Sequence, residues 1–150
     1  MQASFRLGTS AEVESFLPLI HAFYAVDRHE YDGARIRPVL MLLLAEPRYG
    51  HAWFIEVNSE VVGYMVVTYG FALESGGREM LIDEFYIDTA HRGQGIGRQA
   101  VEFLRQQCRT EGIQVLYLEV ERHNTAAFAF YQRMGFVPDD STFMTMRIAG

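Results

Sequence analysis

The chain of 150 residues has a single cysteine, Cys108, which excludes an internal disulfide framework and suits a reducing cytoplasm. No apolar run reaches about 18 residues, so no segment is expected to span a membrane. The opening Met-Gln-Ala-Ser-Phe-Arg-Leu lacks a charged region followed by a long apolar block, so no secretory leader is expected. No Cys/His cluster is present, and His21, His29, His51, His91 and His123 lack metal-ligand spacing, so no metal site is expected. No nucleophile-elbow motif, internal repeat, low-complexity tract or long linker appears, and residues 1–150 read as one domain. Basic residues are scarce relative to acidic ones, 13 against 19, for a net charge of −6. That balance argues against nucleic acid as a partner, since phosphate binding needs clustered basic side chains. It favours a cationic partner instead. A hydrophobic share of 49% is ample for a packed core.

What is present follows alternating helix and strand periods. Ser4–Gly8 reads as a short edge strand. Thr9 and Glu12 have capping-box spacing ahead of a helix to about Val26, with Val13, Phe16, Leu17, Ile20 and Phe23 on one face. Asp27–Asp32 is a polar break, and a second helix runs from Gly33 to Ala45, before Pro47. His51–Val57 and Glu60–Thr68 form a hairpin about Asn58-Ser59. Glu79–Asp88 is a strand, about 95–110 a helix, Gln114–Glu121 a strand and Asn124–Met134 a helix closed by Gly135. Phe136 and Phe143–Ile148 supply a last strand or pair, able to pair within one subunit or across a homodimer. The expected order is β-α-α-β-β-β-α-β-α-β, an α/β fold with a mixed sheet covered by helices.

Between the strand ending near Asp88 and the following helix lies Arg92-Gly93-Gln94-Gly95-Ile96-Gly97. Three glycines within this stretch leave backbone N–H groups unshielded, and a helix start adds a positive dipole. Such a unit is suited to phosphate. Gly95 to Ala100 also fits G-x-G-x-x-A, with Glu119 or Glu121 where a ribose-binding acid would sit, so a dinucleotide-binding oxidoreductase is an alternative. Against it, the first glycine is several residues beyond the strand end, and too little chain follows Glu121 for a doubly wound sheet.

The same residues match the Arg/Gln-x-x-Gly-x-Gly/Ala signature of the GCN5-related N-acetyltransferase (GNAT) family, and Phe85-Tyr86-Ile87-Asp88 resembles that family's fourth strand. Leu118-Glu119-Val120-Glu121-Arg122-His123-Asn124, followed by Phe130 to Phe136, resembles its second signature. The resemblance is strong over residues 79–137 and implies a GNAT-like fold with a splayed central sheet. It implies acetyl-CoA as donor, with coenzyme A as product. The pyrophosphate would lie on the amides of Arg92, Gly93, Gln94, Gly95, Ile96 and Gly97, and the pantetheine arm would pair with the strand near Ile87. Asn124 would touch the pantetheine, although it also suits a helix N-cap. Tyr131, two helical turns beyond, would protonate the departing thiolate; its other reading is a core tyrosine.

An amine acceptor with pKa about 10 must lose a proton before it attacks. Asp83, Glu84 and Glu119 are the candidate bases. Strand alternation places Asp83 with Leu81, Phe85 and Ile87, and Glu84 on the other face with Ile82 and Tyr86, so only one of the two should enter the cleft. The resemblance points to Glu119 or to the strand-four acids, and the expected pair is Glu119 with Glu84, acting through water. Asp27 to Asp32 reads as a solvated loop between the first two helices, which the resemblance implies border the acceptor pocket; in its other reading its acids, with Tyr24 and Tyr31, cradle a cation. A non-catalytic acyl-CoA-binding sensor is a further alternative. The acceptor itself is left open among small amines, polyamines, aminoglycosides and protein N-termini.

Overall fold

The computed structural model describes residues 1–149, which fall into two units, Met1–Glu119 and the segment from Val120 onward. In the first unit the strands β1 (Ala3–Leu7), β2 (Gly50–Val57), β3 (Glu60–Ala72), β4 (Gly77–Ile87) and β5 (Val115–Tyr117) form one sheet in sequential order. The β1 to β4 pairs are antiparallel and β4–β5 is parallel. Asn58 and Ser59, both with positive φ (51° and 65°), make the tight β2–β3 turn that matches strand twist.

Helices α1 (Val13–Val26) and α2 (Gly33–Ala45) cover one face of the sheet. Thr9 and Glu12 do pair, the Thr9 N–H donating to Glu12 Oε1 at 3.1 Å, but they close a 3-10 turn that leads into α1. Asp32 caps α2 by accepting from the Arg35 N–H. Val13, Phe16, Leu17 and Ile20 of α1 pack with Leu40 of α2 on Ala52, Phe54, Tyr64, Val66 and Tyr86, with Phe16 stacked on Phe54 at 3.9 Å. Helix α3 (Ile96–Glu111) covers the opposite face, where Phe103 stacks on Phe5 and meets Trp53 edge-on. Cys108 is buried there with its sulfur 3.7 Å from that of Met80, and burial pushes its thiol pKa up to about 11. It is a core residue, as its position on the helix implies.

Two differences from expectation position the site. First, β5 stops at Tyr117 instead of continuing to Glu121, because its ladder with β4 covers only Glu79–Leu81 against Val115–Tyr117. Among the described residues no strand pairs with that edge of β4 from Ile82 to Ile87, which is the expected splay. Secondly, β3 and β4 shift register between Val66 and Val67, which pair with Glu84 and Ile82, so Asp83 is the extra residue of a β-bulge. The bulge lies where the β5 ladder ends, since a bulged strand bends away from its neighbour.

In the second unit α4 (Thr125–Arg133) is capped by Asn124, which accepts from the Ala127 N–H at 3.0 Å. Gly135, with φ +104°, closes it. The expected final strands at Phe136 and Phe143–Ile148 do not form among the described residues. Phe143, Met144, Met146 and Ile148 are left exposed, so no buried apolar face holds that stretch extended.

Candidate functional site

The gap between β4 and α3 is an organised turn. Asp88 accepts from the His91 N–H at 3.0 Å and caps a 3-10 turn over Thr89–His91. Arg92 then turns back, its Nε donating to the Ile87 carbonyl at 2.9 Å with the guanidinium over the Tyr86 ring. Gly93 and Gly95 follow at φ +74° and +83°, and nothing lies within 4 Å of the position a Cβ would take on either. Gly95 is the N-cap of α3, and no side chain caps the helix there. The first-turn N–H groups have no carbonyl four residues back within the helix. They face outward from a positively polarised helix end, beside a surface cleared of side chains. These features fit a pyrophosphate held by Arg92, Gly93, Gln94, Gly95, Ile96 and Gly97.

The free edge of β4 adjoins this loop. The Asp88 N–H donates to Val62 on β3, so by alternation the peptide groups of Phe85 and Ile87 point away from β3 toward the unpaired side. An extended amide-bearing arm such as pantetheine fits that edge as an added strand. The Ile87 carbonyl is already taken by Arg92, which leaves its N–H.

On the α1/α2 face, the first unit holds a cavity of about 570 Å³. Both Asp83 and Glu84 line it, which corrects the expectation that only one would enter. The reason is the bulge: Glu84 pairs with Val66 on this face, while Ile82 pairs with Val67 on the other, and the extra residue brings Asp83 round beside Glu84. Glu84 therefore shares its face with Tyr86, Tyr64 and Val66, and not with Ile82.

Two phenols hold the Glu84 carboxylate. The Tyr24 hydroxyl donates to Oε2 at 2.6 Å and the Tyr64 hydroxyl to Oε1 at 2.7 Å. Burial raises the Glu84 pKa above the usual carboxylate range and the charge of Asp83 adds to the rise; the two phenols and His29 oppose it. Burial, with the Glu84 charge and hydrogen bond, pushes both phenols well above the ordinary tyrosine value, so they stay protonated as donors. Asp83 is also raised, by desolvation first and by Glu119 second, although its side chain remains open to solvent. Glu119 is exposed, two residues past β5; it acts on Asp83 but does not line the cavity. Glu30 and Asp32 also line it, from the α1–α2 connection, with Tyr24.

In the second unit Asn124 serves as the N-cap, which occupies its carbonyl oxygen and leaves its amide donors for another partner. Tyr131 is half-buried, with Phe130 and Phe136 edge-on to its ring at 5.1 and 5.6 Å. Tyr64 is the residue that the sequence reading missed. Its signal was a phenol in the alternating run Val62-Tyr64-Val66, since a buried tyrosine hydroxyl requires a partner.

The chain is 31% identical over 96 residues to the uncharacterized N-acetyltransferase YycN of Bacillus subtilis, covering 63% of this chain and 60% of that protein. It is 29% identical over 98 residues to N-acetyltransferase 8F1 of Rattus norvegicus, covering 65% and 44%. The chain thus spans about half the length of the curated relatives it matches. An integron cassette protein from the mobile metagenome of Cole Harbour Salt Marsh has the same fold, with TM-score 0.85 at 27% identity over 97% of this chain and 91% of that one. The family profile described as Acetyltransferase (GNAT) family matches residues 14–136, and with it the glycine loop, the splayed strand and the Asn124–Tyr131 helix find one explanation: the chain belongs to the GNAT acetyltransferase family.

Proposed function

We propose that this chain is an acetyl-CoA-dependent N-acetyltransferase that acts on a primary amine by direct attack. The observation that carries the reading is the double use of β4. Its free edge adjoins the glycine loop, and its bulged face presents Asp83 and Glu84 to a cavity. Donor and acceptor sites thereby share one strand.

Acetyl-CoA supplies the acetyl thioester. The loop amides of Arg92 to Gly97 hold its pyrophosphate, the N–H of Ile87 orients the arm or the carbonyl under attack, and Asn124 contributes an amide donor. Glu84, held in one orientation by Tyr24 and Tyr64, accepts the ammonium proton directly or through water, with Asp83 and Glu119 tuning the charge around it. A raised carboxylate pKa brings the base closer to the amine it must deprotonate. As the carbon–nitrogen bond forms and the carbon–sulfur bond breaks, Tyr131 gives its proton to the sulfur, and the second proton lost by the nitrogen restores the phenol through water. Among the described residues no helix is long and apolar enough to cross a membrane; together with the free Cys108, that is compatible with work in a reducing cytoplasm.

The test is release of free CoA from acetyl-CoA in the presence of a panel of primary amines, with product masses read in parallel. Each turnover should yield one CoA thiol and one product heavier by an acetyl group. Tight acetyl-CoA binding without transfer to any amine would instead establish a sensor. A thermal shift given by NAD(P) and not by acetyl-CoA would restore the oxidoreductase.

A further inference from the structure

The cavity carries more acid than deprotonation of one amine requires. Asp83 and Glu84 enter it from β4, while Glu30 and Asp32 enter from the α1–α2 connection, a different element. Among the lining residues Arg35 is the one basic side chain, so the formal excess is three negative charges. Much of the rest of the lining is apolar, with Ile36, Val39, Leu40 and Leu43 contributed by α2. Glu84 is half-buried, whereas Asp83 beside it and Glu30 and Asp32 at the mouth are exposed. Two pairs of acids on different elements, in a cavity otherwise lined largely by hydrocarbon, call for a ligand with the inverse chemistry.

We propose that the acceptor is a small molecule with two or more ammonium groups, one reacting at Asp83 and Glu84 and another held at the mouth by Glu30 and Asp32, its hydrocarbon chain lying along α2. This rests on the reading of the chain as an N-acetyltransferase and specifies the substrate class of that same site. A single ammonium satisfies the inner pair and leaves the outer one with the Arg35 N–H on Asp32 but no ligand cation. An anionic or neutral acceptor gains nothing from either, and close carboxylates repel one another until a cation arrives. The volume of about 570 Å³ lies in the range of small-ligand sites, which favours a free molecule over a folded protein's terminus. The inner ammonium gives up one proton to carboxylate and becomes the amine that attacks; the outer one keeps its charge and remains unmodified.

The chain contains no lysine, its 13 basic residues all being arginine, so acetylation of its own side-chain amines cannot consume the donor. Full-length protein is assayed by CoA release with 1-aminobutane, with 1,4-diaminobutane, and with a tripeptide whose side chains are neutral and whose N-terminus is free. The diamine should exceed the monoamine in kcat/KM by about tenfold or more, mainly through KM, as one further ion pair in a partly enclosed site would give. In a Glu30→Gln/Asp32→Asn double variant, which keeps an α2 cap in Asn, that ratio should fall toward one. Equal kcat/KM for the two amines, a ratio unmoved in the double variant, or a preference for the tripeptide overturns the proposal and leaves the N-acetyltransferase reading standing. Transfer to none of the three removes the proposal, and release with other amines in the wider panel decides whether the reading survives.

Discussion

The glycine loop at the start of α3 and the cavity beneath α1 and α2 are both organised by β4, but they are built from different material. The loop is backbone: Gly93 and Gly95 at positive φ, open space where side chains would stand, and unpaired N–H groups at a helix start. Its residues are contiguous, and what it can hold follows from their order. The cavity is made of side chains. Its key carboxylate comes from β4, the donors that orient it from α1 and β3, and the outer acids from the α1–α2 connection. A binding surface of backbone amides serves any member that carries the same donor. One of side chains is free to differ in each chain, and on the proposed reading this is where the acceptor is chosen.

If that division is right, the variants should separate. The largest loss is expected from Glu84→Gln, which keeps shape but removes the proton acceptor; kcat should fall by about 10²–10⁴-fold with the affinity for CoA, measured by calorimetry, unchanged. A parallel loss of CoA affinity would break the comparison. Next comes Tyr131→Phe, with kcat lower by roughly 10²-fold and fastest turnover regained with a donor whose thiol leaves more readily. An unchanged kcat would remove Tyr131 from the acid role.

Gly95→Ala acts on the other region. Open space surrounds the new methyl, so the penalty comes from φ +83° alone, and about 1–2 kcal/mol of strain should weaken CoA binding by roughly tenfold. The relative rates among amine acceptors should not change. Tyr64→Phe sharpens the cavity side: the lost donor had favoured charged Glu84, so its pKa should rise further and the acidic limb of the kcat/KM profile should move up by as much as about one pH unit. A shift in the opposite direction would mean that Glu84 titrates elsewhere in the profile.

The smallest effect is on stability. Folding raises the Asp83 pKa, so its contribution is intact below the unfolded value and declines as pH rises through the folded one. Asp83→Asn should therefore match the parent near pH 4 and melt about 1–3 °C higher near pH 7, a modest gain because the side chain is solvent-exposed. A variant that melts lower at pH 7 would show that the bulge needs the carboxylate for more than charge.

Much of the frame was legible because local rules were not overridden. The apolar stripe of α1, the start of α2 at Gly33 after a polar break and the Asn58-Ser59 turn each reflect short-range chemistry and formed where that chemistry put them. Strand lengths were not legible, since a strand ends where its partner does: β5 stops at Tyr117 because β4 leaves it, whatever the β propensity of Leu118 to Glu121. Phe143–Ile148 alternates like a strand, yet alternation needs a sheet to receive it.

The sequence by itself determined the family, the glycine loop ahead of α3 and the set of candidate carboxylates, all of which are encoded in neighbouring residues and fixed spacings. Only the tertiary structure decided which of those carboxylates share a space. One extra residue at Asp83 changed the side-chain parity of β4, placing Asp83 and Glu84 on one face and delivering Glu84 to Tyr24 and Tyr64, 60 and 20 residues away in the chain. Bulge position depends on the pairing of both strands, and no periodicity within one strand carries that information.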